Sequence, residues 1–275
     1  MILLPRYYSL RSISTFSLRN IHRNEKVLDR YVRSINKLCP ATFGSVTDYA
    51  HASCPDLDKI YNVDSSRFVE TNCKNTDKGA NGKYVEFALF GNVPNSYSKP
   101  DLLCGYNIKT THFKRISDMY NAKERLTITN CGTKGNYNSF KNINDNELVT
   151  DCKHYNKMQK GVVFVFLHED QSKCTEPIDR LRNKTLLMAF MYDLAKLPED
   201  EKAILNSDYA LIRKCIADQA VSQQKQQYLH IHKHGTKKNP DACALGFTHR
   251  FLTKLAGIFA GKPFIMKGRS YCLRL

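Results

Sequence analysis

Asp101, Asn107 and Lys109 fall within the stretch "PDLLCGYNIKT", residues 100–110, and together could serve phosphodiester hydrolysis. That reaction needs an activated water, a metal that neutralises charge developing on the phosphate, and a cation near the attacking or leaving oxygen. Two hard oxygen ligands can hold Mg²⁺, which keeps several waters of its own. A lysine beside them can orient or deprotonate one of those waters. Residues two apart on a strand share a face, so Asn107 and Lys109 would aim together at whatever Asp101 binds. By itself the spacing D-x(5)-N-x-K also describes a solvated strand edge, and it occurs by chance in many proteins.

Other side chains of chemical interest lie near the C-terminus. His230, His232 and His234 alternate in "QYLHIHKH", with Cys243 nearby in sequence. Zinc ligands come in close pairs, which this run does not supply, so phosphate contact or simple exposure is the expectation. "HKHGTKK" supplies His232, Lys233, Lys237 and Lys238 in a basic loop suited to a groove of nucleic acid. Lys267, Arg269 and Arg274 in "PFIMKGRSYCLRL" are placed to reach phosphates. Glu124, in "AKERL", is expected to pair with a neighbouring base.

The composition agrees with a polyanionic partner. Lys and Arg outnumber Asp and Glu by 42 to 26, a net charge of +16, far beyond what solubility requires. Nucleic acid is the leading candidate, and a membrane surface is the other. No apolar run approaches the ~20 residues that span a bilayer. Ten cysteines are spread evenly without a C-x-x-C pair, as expected of reduced thiols inside a cell. The first 24 residues contain no acid and several Arg and Ser, the composition of a mitochondrial transit peptide. The plainer alternative is a basic N-terminal arm.

Stepping from these residues to what must hold them, "NEKVLDRYVRSINKL" has apolar residues at helical spacing before Pro40. "GANGKYVEFALFG" reads as a short helix ended by Gly91. "DLLCGYNIKTTHF" is a strand or hairpin with Gly105 at a turn or bulge, and "ERLTITN" is a strand. "KGVVFVFLH" is a continuously apolar, central strand. "KTLLMAFMYDL" fits either a strand or a helix, and "PEDEKAILNSDYALIRKCIADQAV" is helical. "DACALGFTHRFLTKLAGIFAG" reads as one amphipathic helix with Asp241 at its N-cap, and the closing segment as a single last strand. Strands flanked by helices make an α/β or α+β fold.

The order of these segments carries a resemblance. "KGANGKYVEFALFG", a loop, "KPDLLCGYNIKTTHFK" and then "AKERLTI" resemble the MutH mismatch-repair endonuclease family and its restriction-enzyme relatives that recognise GATC. That family shows K-G-x-x-G-x-x-x-E-x-x-L, then a loop, then an Asp followed by G-I-E-L-K-T. Lys78, Gly79, Gly82, Glu86 and Leu89 match the first motif, and Asp101, Gly105, Lys109 and Thr110 the second. "SDYALIRKCIADQAV", "QQYLHIHKHG" and "PFIMKGRSYC" are similar to later elements, so the likeness covers about residues 75–275.

The resemblance implies a restriction-endonuclease-like mixed central sheet with flanking helices and a cleft for double-stranded DNA. It implies a catalytic cluster of Glu86, Asp101, Asn107 and Lys109, with Lys78 and Lys157 nearby and Tyr228 near the recognised bases. Mg²⁺, or Mn²⁺ in its place, would be held by Asp101, Asn107 and Glu86. The departure is Asn107, where the family has Glu. An amide oxygen can bind Mg²⁺ but brings no negative charge, so Glu86 or Glu124 would have to compensate.

These readings give a basic N-terminal extension and helix over 1–70 and an endonuclease domain over 71–275. The chain is expected to act on duplex DNA inside the cell, as a monomer or weak dimer and without a membrane. Two alternatives stand beside a DNA-cutting enzyme. One is a DNA-binding protein on the same fold that no longer cuts; the other is a basic protein that packages nucleic acid.

Overall fold

Residues 160–167, "KGVVFVFL", form a strand whose side chains alternate between two apolar clusters. Val162, Phe164 and Phe166 belong to one cluster, Val163 and Val165 to the other. A strand covered on both faces reads as an unbroken apolar run, which is why its central place was legible. The computed structural model describes residues 17–54, 65–74, 79–93, 99–133, 148–152, 154–168, 176–217, 226–233 and 242–275.

In chain order, α1 spans Leu18–Arg23, α2 Glu25–Asn36, β1 Ala41–Thr42, α3 Phe43–Ser53, α4 Ser65–Asn72 and α5 Ala80–Phe90. β2 spans Asn107–Ile116, β3 Met119–Ala122, β4 Leu126–Thr133, α6 Tyr155–Met158 and β5 Lys160–Leu167. They are followed by α7 Pro177–Arg182, β6 Thr185–Asp193, α8 Glu199–Ala217, β7 Leu229–Lys233 and β8 Ala242–Phe247. Helix α9 (His249–Ala260) and strands β9 (Phe264–Lys267) and β10 (Ser270–Leu273) close the chain.

Seven strands make a mixed sheet in the order β1-β6-β5-β2-β3-β10-β9, and three make a second sheet, β4-β8-β7. Only the β2–β5 pair is parallel among these strands. With helices on both faces of the large sheet, the fold is a mixed α/β arrangement of the α+β kind. One face carries α1 to α5: Leu28, Phe43, Phe68 and Tyr84 pack in the same cluster as Phe164. The other carries α8, α9 and the small sheet, through Leu205, Tyr209, Phe251, Leu245 and Ile231. The described part of residues 1–70 is therefore layered onto the sheet and shares its core with α5 and β2. No helix among the described residues is long and apolar enough to cross a membrane. No disulfide joins the cysteines among them.

Several elements follow from local chemistry. The Asn24 side chain caps α2 by accepting from the backbone N–H groups of Lys26 and Val27. Helix α5 ends at Gly91, as its sequence predicts. The ambiguous "KTLLMAFMYDL" is the strand β6, paired with β5 along its length.

Two expectations are corrected. Residues 242–260 are a strand followed by a helix, not one amphipathic helix, and Asp241 lies outside the described residues. Thr248 supplies the break, its hydroxyl accepting from Phe251 N–H as the cap of α9. "ACALGF" is the middle strand of the small sheet, where a Cβ on Gly246 would stand 2.6 Å from the Leu126 carbonyl oxygen. Such a run carries no polar positions to reveal its period. The closing segment is likewise a hairpin, β9 and β10 joined across Gly268 and Arg269, as a two-residue turn with a glycine permits.

Candidate active site and nucleic-acid interface

The pairing of β2 is unequal along its two edges. β5 pairs with it from Asn107 to Phe113, but β3 pairs only from Phe113 to Ile116. No strand among the described residues covers the other edge of 107–112. The turn before β2 folds over that edge instead. Leu102 N–H donates to the Tyr106 carbonyl, Gly105 takes φ 90°, and the Asp101 carboxylate accepts from Ile108 N–H at 2.8 Å. A glycine meets the positive φ without strain, and the result pins Asp101 at the open edge.

Helix α5 brings Glu86 to the same place. Gly82 lies against the Thr110 hydroxyl on β2, and Glu86, one turn on, shares its stripe. Burial, then the Asp101 charge, pushes the Glu86 carboxyl up to about 7, with Lys109 and Lys157 opposing. Burial pushes the Lys109 ammonium below the usual lysine range; Lys157 adds to this, while Asp101 and Glu86 oppose it. Glu86, Asp101, Lys109 and Lys157 are thus one electrostatic cluster; the resemblance implies a site of Glu86, Asp101, Asn107 and Lys109, with Lys157 near it. Lys157, on the one-turn helix α6, also donates to the Lys99 carbonyl at 2.6 Å and ties down the segment leading to Asp101.

Asn107 is fully buried. Its Nδ2 donates to the carbonyls of Lys160 and Asn156 at 3.3 and 3.4 Å, while Oδ1 is buried without a partner. Two carbonyls fix the amide's orientation, leaving an acceptor oxygen on the face of β2 that Lys109 shares. Among the described residues no three His, Cys, Asp or Glu are grouped to hold a metal. A hard divalent ion here would need the Asn107 oxygen beside the Glu86 and Asp101 carboxylates. Carboxylate and amide oxygens are donors of the kind Mg²⁺ takes.

One consequence is testable at Asn107. Asn107→Asp adds charge for an ion but gives up both donations to backbone carbonyls. It is expected to lower stability by about 1–3 kcal/mol and to enlarge the melting-temperature gain on adding Mg²⁺ or Mn²⁺. Thermal melts with and without metal check both effects. Asn107→Glu, larger by a methylene in a fully buried place, is expected to cost more stability.

Beside the cluster runs a second polar chain that sequence reading missed. Lys184 Nζ, which can only donate, faces Asn81 Oδ1 at 2.6 Å; Asn81 Nδ2 meets His112 Nε2 at 2.9 Å. His112 Nδ1 then carries the proton toward Glu124 at 3.4 Å. Glu124 does pair with a neighbouring base, and His112 holds its carboxyl below the usual range. His112 faces α5 at two-residue spacing from Thr110, which was the only signal in the sequence.

Near His112, where Lys123 N–H meets its carbonyl, opens a cleft of about 700 Å³. The β3–β4 connection, the start of β7, the start of α9 and the β9–β10 turn form its walls. Arg269, a sequence-predicted contact, lines it, and Lys267 is exposed on the same hairpin. Arg274 pairs with Asp118 at 3.3 Å. Lys78, Lys237, Lys238 and His234 lie outside the described residues, and Lys233 ends β7.

Two expected contacts are displaced. Tyr228 is 2% exposed, its hydroxyl donating to Glu201 and its ring stacked on Phe251 with centroids 4.3 Å apart. It is a core residue, not a reader of bases. His232 and His230 are 5% and 4% exposed and stack on each other at 4.7 Å. Exposure or phosphate contact at His232 is overturned, because β7 turns these side chains against β4, where Thr127 meets the His232 ring.

The burial of His230 sets a pH dependence. Desolvation first, then His232 and Arg125, press its pKa from 6.5 to about 3. Between those values the unfolded chain takes a proton that the folded chain refuses, so stability falls as pH drops below 6.5. The loss is about 1.4 kcal/mol per pH unit, or about 2 kcal/mol at pH 5. Urea unfolding at pH 7 and pH 5 should show that loss in the wild type and a smaller one in His230→Gln.

Neither a protein-family model nor a curated protein matches the chain.

Proposed function

We propose that this protein is a metal-dependent endonuclease that hydrolyses phosphodiester bonds of double-stranded DNA. The observation that carries it is the grouping of Glu86, Asp101 and Lys109 at the edge of β2 that no described strand pairs with, with an unpartnered Asn107 oxygen on the Lys109 face. The net charge of +16 and the cleft lined by arginines supply attraction for a phosphate backbone. The likeness to the GATC-cutting family makes GATC-containing duplexes the first substrates to test.

Glu86, Asp101 and Asn107 would hold Mg²⁺ or Mn²⁺, and the bound ion supplies charge neutralisation at the phosphate and a more acidic water. The chain's own groups do the rest. Asp101 is held in place by Ile108 N–H, so its carboxylate needs no rearrangement when substrate arrives. Lys109, its ammonium made more acidic by burial, can orient the attacking water and exchange a proton with it. Lys157 adds a second positive charge beside the scissile phosphate. Water attacks phosphorus, the bond to the 3′-oxygen breaks, and the products carry a 5′-phosphate and a 3′-hydroxyl.

One observation favours the alternative of a DNA-binding protein that does not cut. Asn107 spends its amide on two backbone carbonyls, a structural duty that a family glutamate would not perform. End-labelled duplexes separate the two: metal-dependent fragments with 5′-phosphate ends are expected, and intact duplex bound under every metal would favour the non-cutting protein.

A further inference from the structure

The 700 Å³ cleft has walls from four separate segments, and its chemistry is more specific than a basic surface. Arg125, Arg250 and Arg269 line it, while its one carboxylate among the described residues, Glu124, is paired with His112. Among these arginines and the two residues at the start of β7, polar atoms lie buried without a partner. Both amide atoms of Gln226, Nε2 of His230 and Nε of Arg250 are in that state, and His230 is 4% exposed. Each such group costs free energy when left unmade, and several together at one cleft call for a partner that the surrounding side chains do not supply.

The unpartnered atoms also have a pattern. Gln226 offers a donor and an acceptor side by side, the complement of a base edge such as adenine N7 and N6 in the major groove. The guanidinium groups around them match phosphates, which position a duplex without reading it. The cleft meets β2 at His112, three residues from Lys109, roughly 10 Å along a strand. That is a distance of a few nucleotides between reading and cutting.

We propose that Gln226 reads the edge of a base in duplex DNA, while Arg125, Arg250 and Arg269 hold the flanking phosphates. This rests on the DNA-cutting proposal for the partner, but not on cleavage itself. The test is a selection from random-sequence duplexes in chelator, so that no cutting intervenes, with wild type, Gln226→Ala and Arg269→Ala.

The wild type is expected to enrich a motif. Gln226→Ala should lose preference at one position of it by roughly 5- to 150-fold while holding random duplex as well as before. Because Gln226 has no partner to lose, its variant should melt no lower than the wild type. Arg269→Ala should keep the motif and weaken all sequences alike. An unchanged motif in Gln226→Ala, or uniform weakening there, overturns the base-reading assignment and leaves the DNA-cutting proposal standing. No retention of any duplex at low salt overturns both.

Discussion

Lys109→Ala and Asp101→Asn are each expected to reduce duplex cleavage by about a hundredfold to a thousandfold, with duplex binding changed little. Single groups that stabilise transition-state charge act on that scale. In the proposed mechanism Lys109 would meet the reacting water from a half-buried position, where desolvation lowers its pKa. Alanine there removes both proton exchange and positive charge where the phosphate gains negative charge. Asp101 needs a gentler substitution, because its carboxylate also accepts from Ile108 N–H. Asparagine keeps an acceptor for that bond and removes the charge alone. A loss of activity in Asp101→Asn with unchanged melting temperature therefore speaks to chemistry and not to folding. Binding should survive in both variants, since these groups act more on the transition state than on docking. Single-turnover cleavage beside a binding titration checks the pair.

Lys254→Met is expected to destabilise the protein by about 3–5 kcal/mol, the cost of leaving a buried charge without its partner. Lys254 and Glu201 form an ion pair with side chains 13% and 8% exposed. The Tyr228 hydroxyl donates to Glu201 and accepts from Lys254 at 2.9 Å. The Lys254 ammonium also lies over the rings of Tyr228 and Tyr271, at 5.4 and 5.2 Å from their centroids. Burial works against that ammonium, but the hydrogen bonds to Glu201 and Tyr228 outweigh it and hold its pKa above the usual range. Removing the lysine strands Glu201 among α8, β7 and α9. A melting temperature lower by roughly 6–20 °C is the expected reading. Adding Glu201→Gln to Lys254→Met should recover part of the loss, because no charge is then left stranded. Tyr228→Ala belongs with these variants: it should cost about 3–5 kcal/mol as a core aromatic, in place of the loss of base discrimination that sequence likeness suggested.

The sequence showed most of the elements whose pattern is local. Helix α2 announces itself by apolar spacing before Pro40, and β5 by its length of unbroken apolar residues. The proposed catalytic grouping was legible too, because Asp101 and Lys109 lie on one short segment and Glu86 on a helix with its own motif. What was hidden depends on the third dimension. "ACALGF" has no polar residues to mark a period, so the break at Thr248 was passed over. Tyr228 and His232 sit beside basic residues in sequence, yet the pairing of β7 with β8 and the packing against α9 and β4 turn them inward. The unpartnered oxygen of Asn107 follows from the position of α6 and β5, which no reading of β2 alone could supply. The cleft at Gln226 draws on four segments separated by up to about 150 residues.

The central claim, that the Glu86–Asp101–Lys109 grouping cuts DNA with a divalent ion, is tested most directly with supercoiled plasmid. Purified wild type and Asp101→Asn would be incubated side by side with Mg²⁺, with Mn²⁺ or with chelator, and the plasmid forms separated on a gel. The expected result is conversion to nicked and linear plasmid by the wild type in metal alone, with almost none by the variant. Equal conversion by Asp101→Asn, or intact plasmid under both metals while the wild type still binds DNA, would contradict it.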